Sequence, residues 1–219
     1  MKYIKELKEW KNLKPHSPYG SKKIKISKIE LEGICNKIGI SSSNVRFLSS
    51  GCFGNAYTYG DKIIKITTDK NEARVAYDLI GKDNLLIVKY YRVYKYVNFY
   101  VILMDRVVPI KDYLKSINHF DINWMFIWDL TETLCKNWNN IDKDRYIEEV
   151  YKLYKSENRK WNIVGIKKFL LDGVWDIYES IRAHYIDLHP DNLGIKDGNL
   201  VCFDLTSASG GKFDEPKNI

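Results

Sequence analysis

Asp187, Asn192 and Asp204 are the three side chains whose types and spacing carry the most chemistry. They lie in Tyr185-Ile186-Asp187-Leu188-His189-Pro190-Asp191-Asn192-Leu193 and, after a short hairpin, in Val201-Cys202-Phe203-Asp204-Leu205-Thr206. An acid, then an amide five residues on, then a second acid beyond a turn can set Asp187 beside an attacking hydroxyl while Asn192 and Asp204 offer oxygens to Mg²⁺. The competing reading is a polar loop in which Asp187 caps a turn and Asp204 is a surface acid.

Two further pieces precede this segment. In Ser49-Ser50-Gly51-Cys52-Phe53-Gly54-Asn55-Ala56 the small residues let backbone amides approach phosphate oxygens, although two glycines also suit an ordinary tight turn. Lys65, in the apolar run Ile63-Ile64-Lys65-Ile66, can aim an ammonium into a cleft as a point charge for phosphates, or stand exposed on a strand. Glu72 can pair with Lys65, or close a capping box with Asp69 at a helix start.

The elements that must position these groups follow from periodicity and turn residues. Residues 1–44 read as an extension with a helix near Lys28–Ile38, capped by Ser27, with Ile29, Leu31, Ile34, Cys35 and Ile38 on its apolar face. Residues 45–105 read as strands at Val45–Leu48, Asn55–Tyr59, Lys62–Ile66, Ile87–Tyr96 and Phe99–Asp105. One helix interrupts them, from about Asp69 to Ile80 before Gly81, burying Ala73, Ala76, Tyr77 and Ile80. Residues 106–209 read as helical, at Ile110–Ile117, Ile122–Trp138 and Ile166–Ala183, with two short strands, Leu193–Lys196 and Leu200–Phe203, around the turn Asp197-Gly198-Asn199. No structure is assigned to the charged stretch 143–160, and residues 210–219 are expected to be a loose tail.

At 219 residues, with 45% hydrophobic and 29% charged residues, the chain is expected to fold as a globular domain or two small lobes around a cleft. The net charge of +7 is scattered and densest in the lysines from Lys2 to Lys25. Tyr and Trp do not alternate with basic residues as a stacking groove would need, so nucleic acid is not the expected partner. Cys35, Cys52, Cys135 and Cys202 contain no CxxC pair, which suggests neither a zinc site nor a disulfide framework and fits a reducing cytoplasm. The start of the chain has no signal-peptide core, and no stretch is long and apolar enough for a membrane span.

From Ser49 through Thr206 the sequence resembles the protein-kinase-like superfamily. The resemblance implies an α+β, bilobal fold with a small β-rich N-lobe and a minimal, mostly helical C-lobe. It implies that Gly51, Phe53 and Gly54 cover phosphates, that Lys65 binds the α- and β-phosphates, and that Glu72 is its helix partner. Met104, Asp105, Arg106 and Val107 fall where a lobe-connecting hinge binds adenine through backbone groups. Asp187 would be the catalytic base, with Asn192 and Asp204 the metal ligands. Asp-Leu-His-Pro-x-Asn, with His189 where protein kinases carry Lys, resembles the aminoglycoside and choline phosphotransferase branch, and implies a γ-phosphate contact or a loop-stabilising role for His189.

Departures are plain. Ser49 replaces the first glycine of the loop, Tyr185-Ile186 replaces His-Arg, and Asp204-Leu205-Thr206 replaces Asp-Phe-Gly. Thirteen residues follow Thr206, too few for an activation segment, so the helices between Ile110 and Ala183 are expected to form most of the second lobe unless a partner subunit or a second copy completes it. The expected function is transfer of the ATP γ-phosphate to a hydroxyl with Mg²⁺ or Mn²⁺, the acceptor a protein Ser or Thr. Alternatives are a small-molecule kinase, a pseudokinase binding module and an adenylyl transferase. Heavy use of Lys, Asn, Ile and Tyr suggests an AT-rich coding genome, and the compactness is compatible with a phage or mobile-element origin, which would make the expected cytoplasm that of a host.

Overall fold

The structure is a computed structural model that describes residues 24–51, 53–118, 120–138, 140–156, 164–182, 185–186 and 188–207. Asp187, the expected tail 210–219 and the lysines from Lys2 to Lys23 lie outside these residues.

The protein is α+β, built on a five-stranded antiparallel sheet ordered β1-β2-β3-β5-β4. Its strands are β1 (Val45–Ser50), β2 (Gly54–Tyr59), β3 (Lys62–Thr67), β4 (Tyr90–Tyr96) and β5 (Phe99–Asp105). Tyr59 pairs with Lys62 across a two-residue turn, where Gly60 takes a φ of 59° that a side chain would resist. The register sets Lys65 between Ala56 of β2 and Ile102 of β5, in the middle of the sheet. β4 starts at Tyr90 rather than Ile87, because residues 86–88 turn away from β5 and meet Cys202 instead.

Both faces of this sheet are covered, which is why β3 carries buried isoleucines facing both ways around Lys65 rather than a simple apolar-polar alternation. α1 (Lys28–Ile38) starts at Ser27, whose hydroxyl accepts from Glu30 N–H at 3.2 Å while the Glu30 carboxylate returns to Ser27 N–H at 2.8 Å. Its Ile34 packs with Tyr57, Ile64, Ile66 and Val101 on one face of the sheet. Ile29, expected on the apolar face, is 81% exposed.

α2 (Lys70–Asp78) lies on the other face, with Ala73, Val75 and Ala76 buried. Tyr77 and Ile80 were expected to be buried with them, yet both are exposed and the helix ends at Asp78. The orientation of α2 explains Tyr77. Glu72 points inward, and five residues along a helix turn a side chain about 140° away.

The rest of the described chain is mostly helical: β6 (Val108–Pro109), α3 (Ile110–Ser116), α4 (Phe120–Lys136), α5 (Lys143–Ser156) and α6 (Ile166–Ile181). β7 (Tyr185–Ile186), β8 (Leu193–Lys196), β9 (Asn199–Cys202) and β10 (Thr206–Ser207) follow. α5 occupies the charged stretch left without an assignment, and buries Tyr146 and Val150 one turn apart. β8 and β9 form a hairpin whose turn residues Asp197 and Gly198 have φ of 49° and 80°, the backbone an Asp-Gly hairpin favours. One apolar core runs from Ile63, Ile102 and Met104 under the sheet, through Leu114, Phe126, Leu130, Val174 and Tyr178 of the helices, to Leu193 and Leu200 of the hairpin. Among the described residues no helix is long and apolar enough to cross a membrane.

Candidate functional site

β3 points Lys65 into the space beneath α2 because Ile64 and Ile66, its neighbours on the strand, are committed to the α1 face. The α2 N-terminus supplies the first partner. Asp69 caps that helix, accepting from Asn71 N–H at 2.8 Å and from Glu72 N–H at 3.3 Å. The Glu72 carboxylate does not return to the cap; its Oε1 lies 2.6 Å from Lys65 Nζ. The expected pairing and the expected cap are therefore both present, divided between Glu72 and Asp69. Lys65, whose side chain is 15% exposed, is no surface lysine.

Asp204 is the second partner of Lys65, through Oδ1. It follows β9 with a φ of 56°, a conformation that a non-glycine residue holds only when its surroundings fix it. Those surroundings can be named. Asn192 Nδ2 donates to the Asp204 carbonyl at 3.4 Å, and Phe203 N–H donates to the Asn192 carbonyl at 2.9 Å. The two segments singled out by their acids and amide are thus joined, and Lys65 joins them to the sheet. Asp187 lies outside the described residues.

Charge is unbalanced here, since one lysine meets two carboxylates. Burial alone would lower the Lys65 pKa, but Asp204 and Glu72 override it and hold the ammonium above its ordinary value. Burial, then the adjacent Asp204 charge, pushes the Glu72 carboxyl up to about 8 despite Lys65. Tyr90 of β4 is 4% exposed beside the same groups; burial and the Asp204 and Glu72 charges raise its phenol well above the ordinary value. The surplus negative charge is a demand for a proton or a cation.

His189 stands at the start of the short 3₁₀ turn Pro190–Asn192 and caps it, its Nδ1 accepting from Asp191 N–H at 3.2 Å. A neutral His189 therefore carries its proton on Nε2. The ring packs edge-to-face on Trp128 of α4 with centroids 4.6 Å apart, and the Cys135 thiol, also on α4, donates to the Leu188 carbonyl at 3.4 Å. α4 thus supports the loop from behind.

The glycine-rich turn closes through Gly51 N–H to the Gly54 carbonyl at 2.8 Å. The Phe53 carbonyl is tied to the end of β3, accepting from Thr67 Oγ1 at 3.0 Å and Thr68 N–H at 2.9 Å, while the Phe53 ring is half exposed. Gly54 must be glycine, because a Cβ there would sit 2.6 Å from the Ile66 carbonyl oxygen.

The four expected hinge residues are placed differently from one another. Met104 is buried between Ile63 and Tyr90. Asp105 N–H donates to Lys89 O at 2.9 Å and Arg106 N–H to Asp61 O at 3.0 Å, so the protein itself uses both donors. Val107 packs on the core against Gly194. The Asp105 carboxylate is buried among Lys62, Tyr91 and Lys196. Sequence reasoning missed those three and Tyr90; the available signal was a lone acid ending an otherwise apolar strand. A hollow of about 230 Å³ lies away from Lys65, between residues 82–89 and the β8–β9 turn, lined by Lys82, Asp83 and Asp197 among others.

Oxygen donors suit a hard cation, and Asp204 with Asn192 supplies a carboxylate and an amide. Among the described residues no group of three or more His, Cys, Asp or Glu side chains forms a metal cage. A pair of this kind fits Mg²⁺, which is commonly held by one or two carboxylates together with substrate phosphates. No protein-family model matches the chain, and no curated protein matches it.

Proposed function

We propose that this chain is an ATP- and Mg²⁺-dependent phosphotransferase with a bilobal, protein-kinase-like architecture, its sheet part and helical part forming the two lobes. The observation that carries the reading is Lys65, buried in mid-sheet, paired at once with Glu72 from α2 and with Asp204 beyond β9, while Asn192 holds the Asp204 backbone. Phosphoryl transfer asks a protein mainly for placement and charge neutralisation, and a lysine oriented by a buried glutamate supplies both for phosphate oxygens.

In this reading Glu72 keeps Lys65 pointed at the nucleotide, and Asp204 and Asn192 would hold Mg²⁺. The metal would neutralise charge on the phosphates. Asp187 would accept the proton of the attacking hydroxyl, and His189 would offer its Nε2–H to the transferred group. The glycine-rich turn 51–54 would cover the phosphates. The proposed acceptor is a protein Ser or Thr hydroxyl, favoured over a cationic small molecule because the sequence of the short helical part offers no obvious acidic pocket for one.

The test is ATP turnover with γ-labelled nucleotide, Mg²⁺ and a cell lysate, comparing the wild type with Lys65→Ala and Asp187→Asn. The reading predicts label on protein or a phosphorylated small molecule, falling at least ~100-fold in both variants. No ATP consumption under any condition would contradict the enzyme and leave a nucleotide-binding module; label from the α-phosphate would make it an adenylyl transferase.

A further inference from the structure

The Asp105 carboxylate ends β5 and is 4% exposed, yet groups from three other strands converge on it. Lys62 of β3 reaches Oδ1 at 2.7 Å, and the Tyr91 hydroxyl of β4 donates to the same oxygen at 2.7 Å. Lys196 of β8 pairs with Oδ2. Lys62 is fixed in turn, its Nζ 2.8 Å from Tyr91 Oη, 4.3 Å from the centre of that ring and 3.0 Å from Asp61.

What this cluster connects gives it a role. β3 carries Lys65. The β8–β9 hairpin is an arm with Asn192 immediately before it and Asp204 just after it, separated only by Phe203. Lys196 lies at the turn end of that arm. At its base, Val88 N–H donates to Cys202 O and Cys202 N–H donates to Leu86 O, both at 2.9 Å, so the arm is attached to the segment entering β4 as well. β8 also pairs with β6, Val108 with Ile195 and Pro109 with Gly194, so the arm is held along its length and the Lys196–Asp105 pair adds a side-chain tie from its turn end to β5.

We propose that Lys196 and Asp105 are positioning residues whose ion pair braces the β8–β9 arm against β3 and β5, and so fixes the separation of Lys65 from Asn192 and Asp204. The brace stands on these contacts, while its catalytic consequence rests on the phosphotransferase reading. The geometry also indicates the informative variant. Removing Asp105 leaves two lysines facing each other in a buried place. Removing Lys196 leaves Asp105 still compensated by Lys62 and Tyr91, so the fold survives and only the link to the arm is lost.

The experiment is amide hydrogen exchange on the full chain for wild type, Lys196→Met, Lys196→Arg and the pair of Lys196→Met with Asp105→Asn, with a Mg²⁺-ATP titration as a second arm. Exchange across residues 193–203 is expected to speed up ~10-fold in Lys196→Met and to return toward wild type in Lys196→Arg. The double variant is expected to add little to Lys196→Met in that segment, because both changes break one contact. Mg²⁺-ATP affinity is expected to fall ~10-fold in Lys196→Met and recover in Lys196→Arg, a rescue that generic destabilisation does not produce. Unchanged exchange in Lys196→Met, or arginine as loose as methionine, overturns the brace. If the arm loosens and is rescued but the wild type binds no nucleotide, the brace holds and the phosphotransferase reading falls.

Discussion

Lys65, Glu72 and Asp204 bring one lysine and two carboxyl groups together, Lys65 and Glu72 largely buried and Asp204 about a third exposed. Lys65 was legible because a lysine inside an apolar strand is unusual, and Glu72 because an acid at the start of the following helix can pair with that lysine or cap the helix. The part played by the Asp105 side chain was missed at this scale. Its position suggested a backbone role, whereas its side chain is the hub of a buried cluster, and nothing local in the sequence reveals that Lys196, far along the chain, will meet it. The charge surplus has a pH consequence. The Glu72 carboxyl is raised to about 8 by burial and by Asp204, so between the ordinary carboxylate range and pH 8 the folded protein binds a proton that the unfolded chain has lost. Stability contributed by this group therefore falls as pH rises through that window. Urea unfolding of wild type and Glu72→Gln across pH 5 to about 8 is expected to show a steeper decline in the wild type. Equal slopes would mean that Glu72 stays ionised throughout, with Lys65 satisfying it.

Elements with local signals emerged nearly as expected. The Ser27 and Glu30 capping box and the Asp197-Gly198 turn are specified by a few neighbouring residues, and α1, β8 and β9 formed at those positions. α5 was not legible because its charged composition masked the Tyr146 and Val150 stripe, and on α2 the expected Ala73 and Ala76 are buried while Glu72 and Val75, rather than Tyr77 and Ile80, complete the inward face. The β4–β5 turn is the element that conflicts with its own sequence. Val97 has a φ of 53° and is 70% exposed, so a β-branched residue holds a left-handed backbone with little packing in return. Val97→Gly is expected to stabilise the protein by about 1 kcal/mol, and Val97→Ala, which keeps a Cβ, by less. Denaturant midpoints decide; a loss of stability in Val97→Gly would show that the valine side chain contributes contacts that outweigh the strain.

At the scale of the whole molecule, the order of strands and helices was readable and their assembly was not. Residues 1–44 read as an extension without chemistry, yet α1 within them closes one face of the sheet, and Lys65 meets α2 on the other face. A core that runs without a break from the sheet to the β8–β9 hairpin, the Cys202 bridge and the Asp105 cluster together make the site a junction of distant parts. Such contacts depend on packing between elements far apart in sequence, which no local pattern encodes. Whether this junction is a metal–nucleotide site is decided by calorimetric titration of ATP into wild type, Lys65→Met and Asp204→Asn, each with Mg²⁺ and with a chelator. Binding by the wild type that requires Mg²⁺ and is weakened at least ~10-fold in each folded variant is the predicted result. Absence of binding by the folded wild type, or binding indifferent to the metal and to both substitutions, would contradict it.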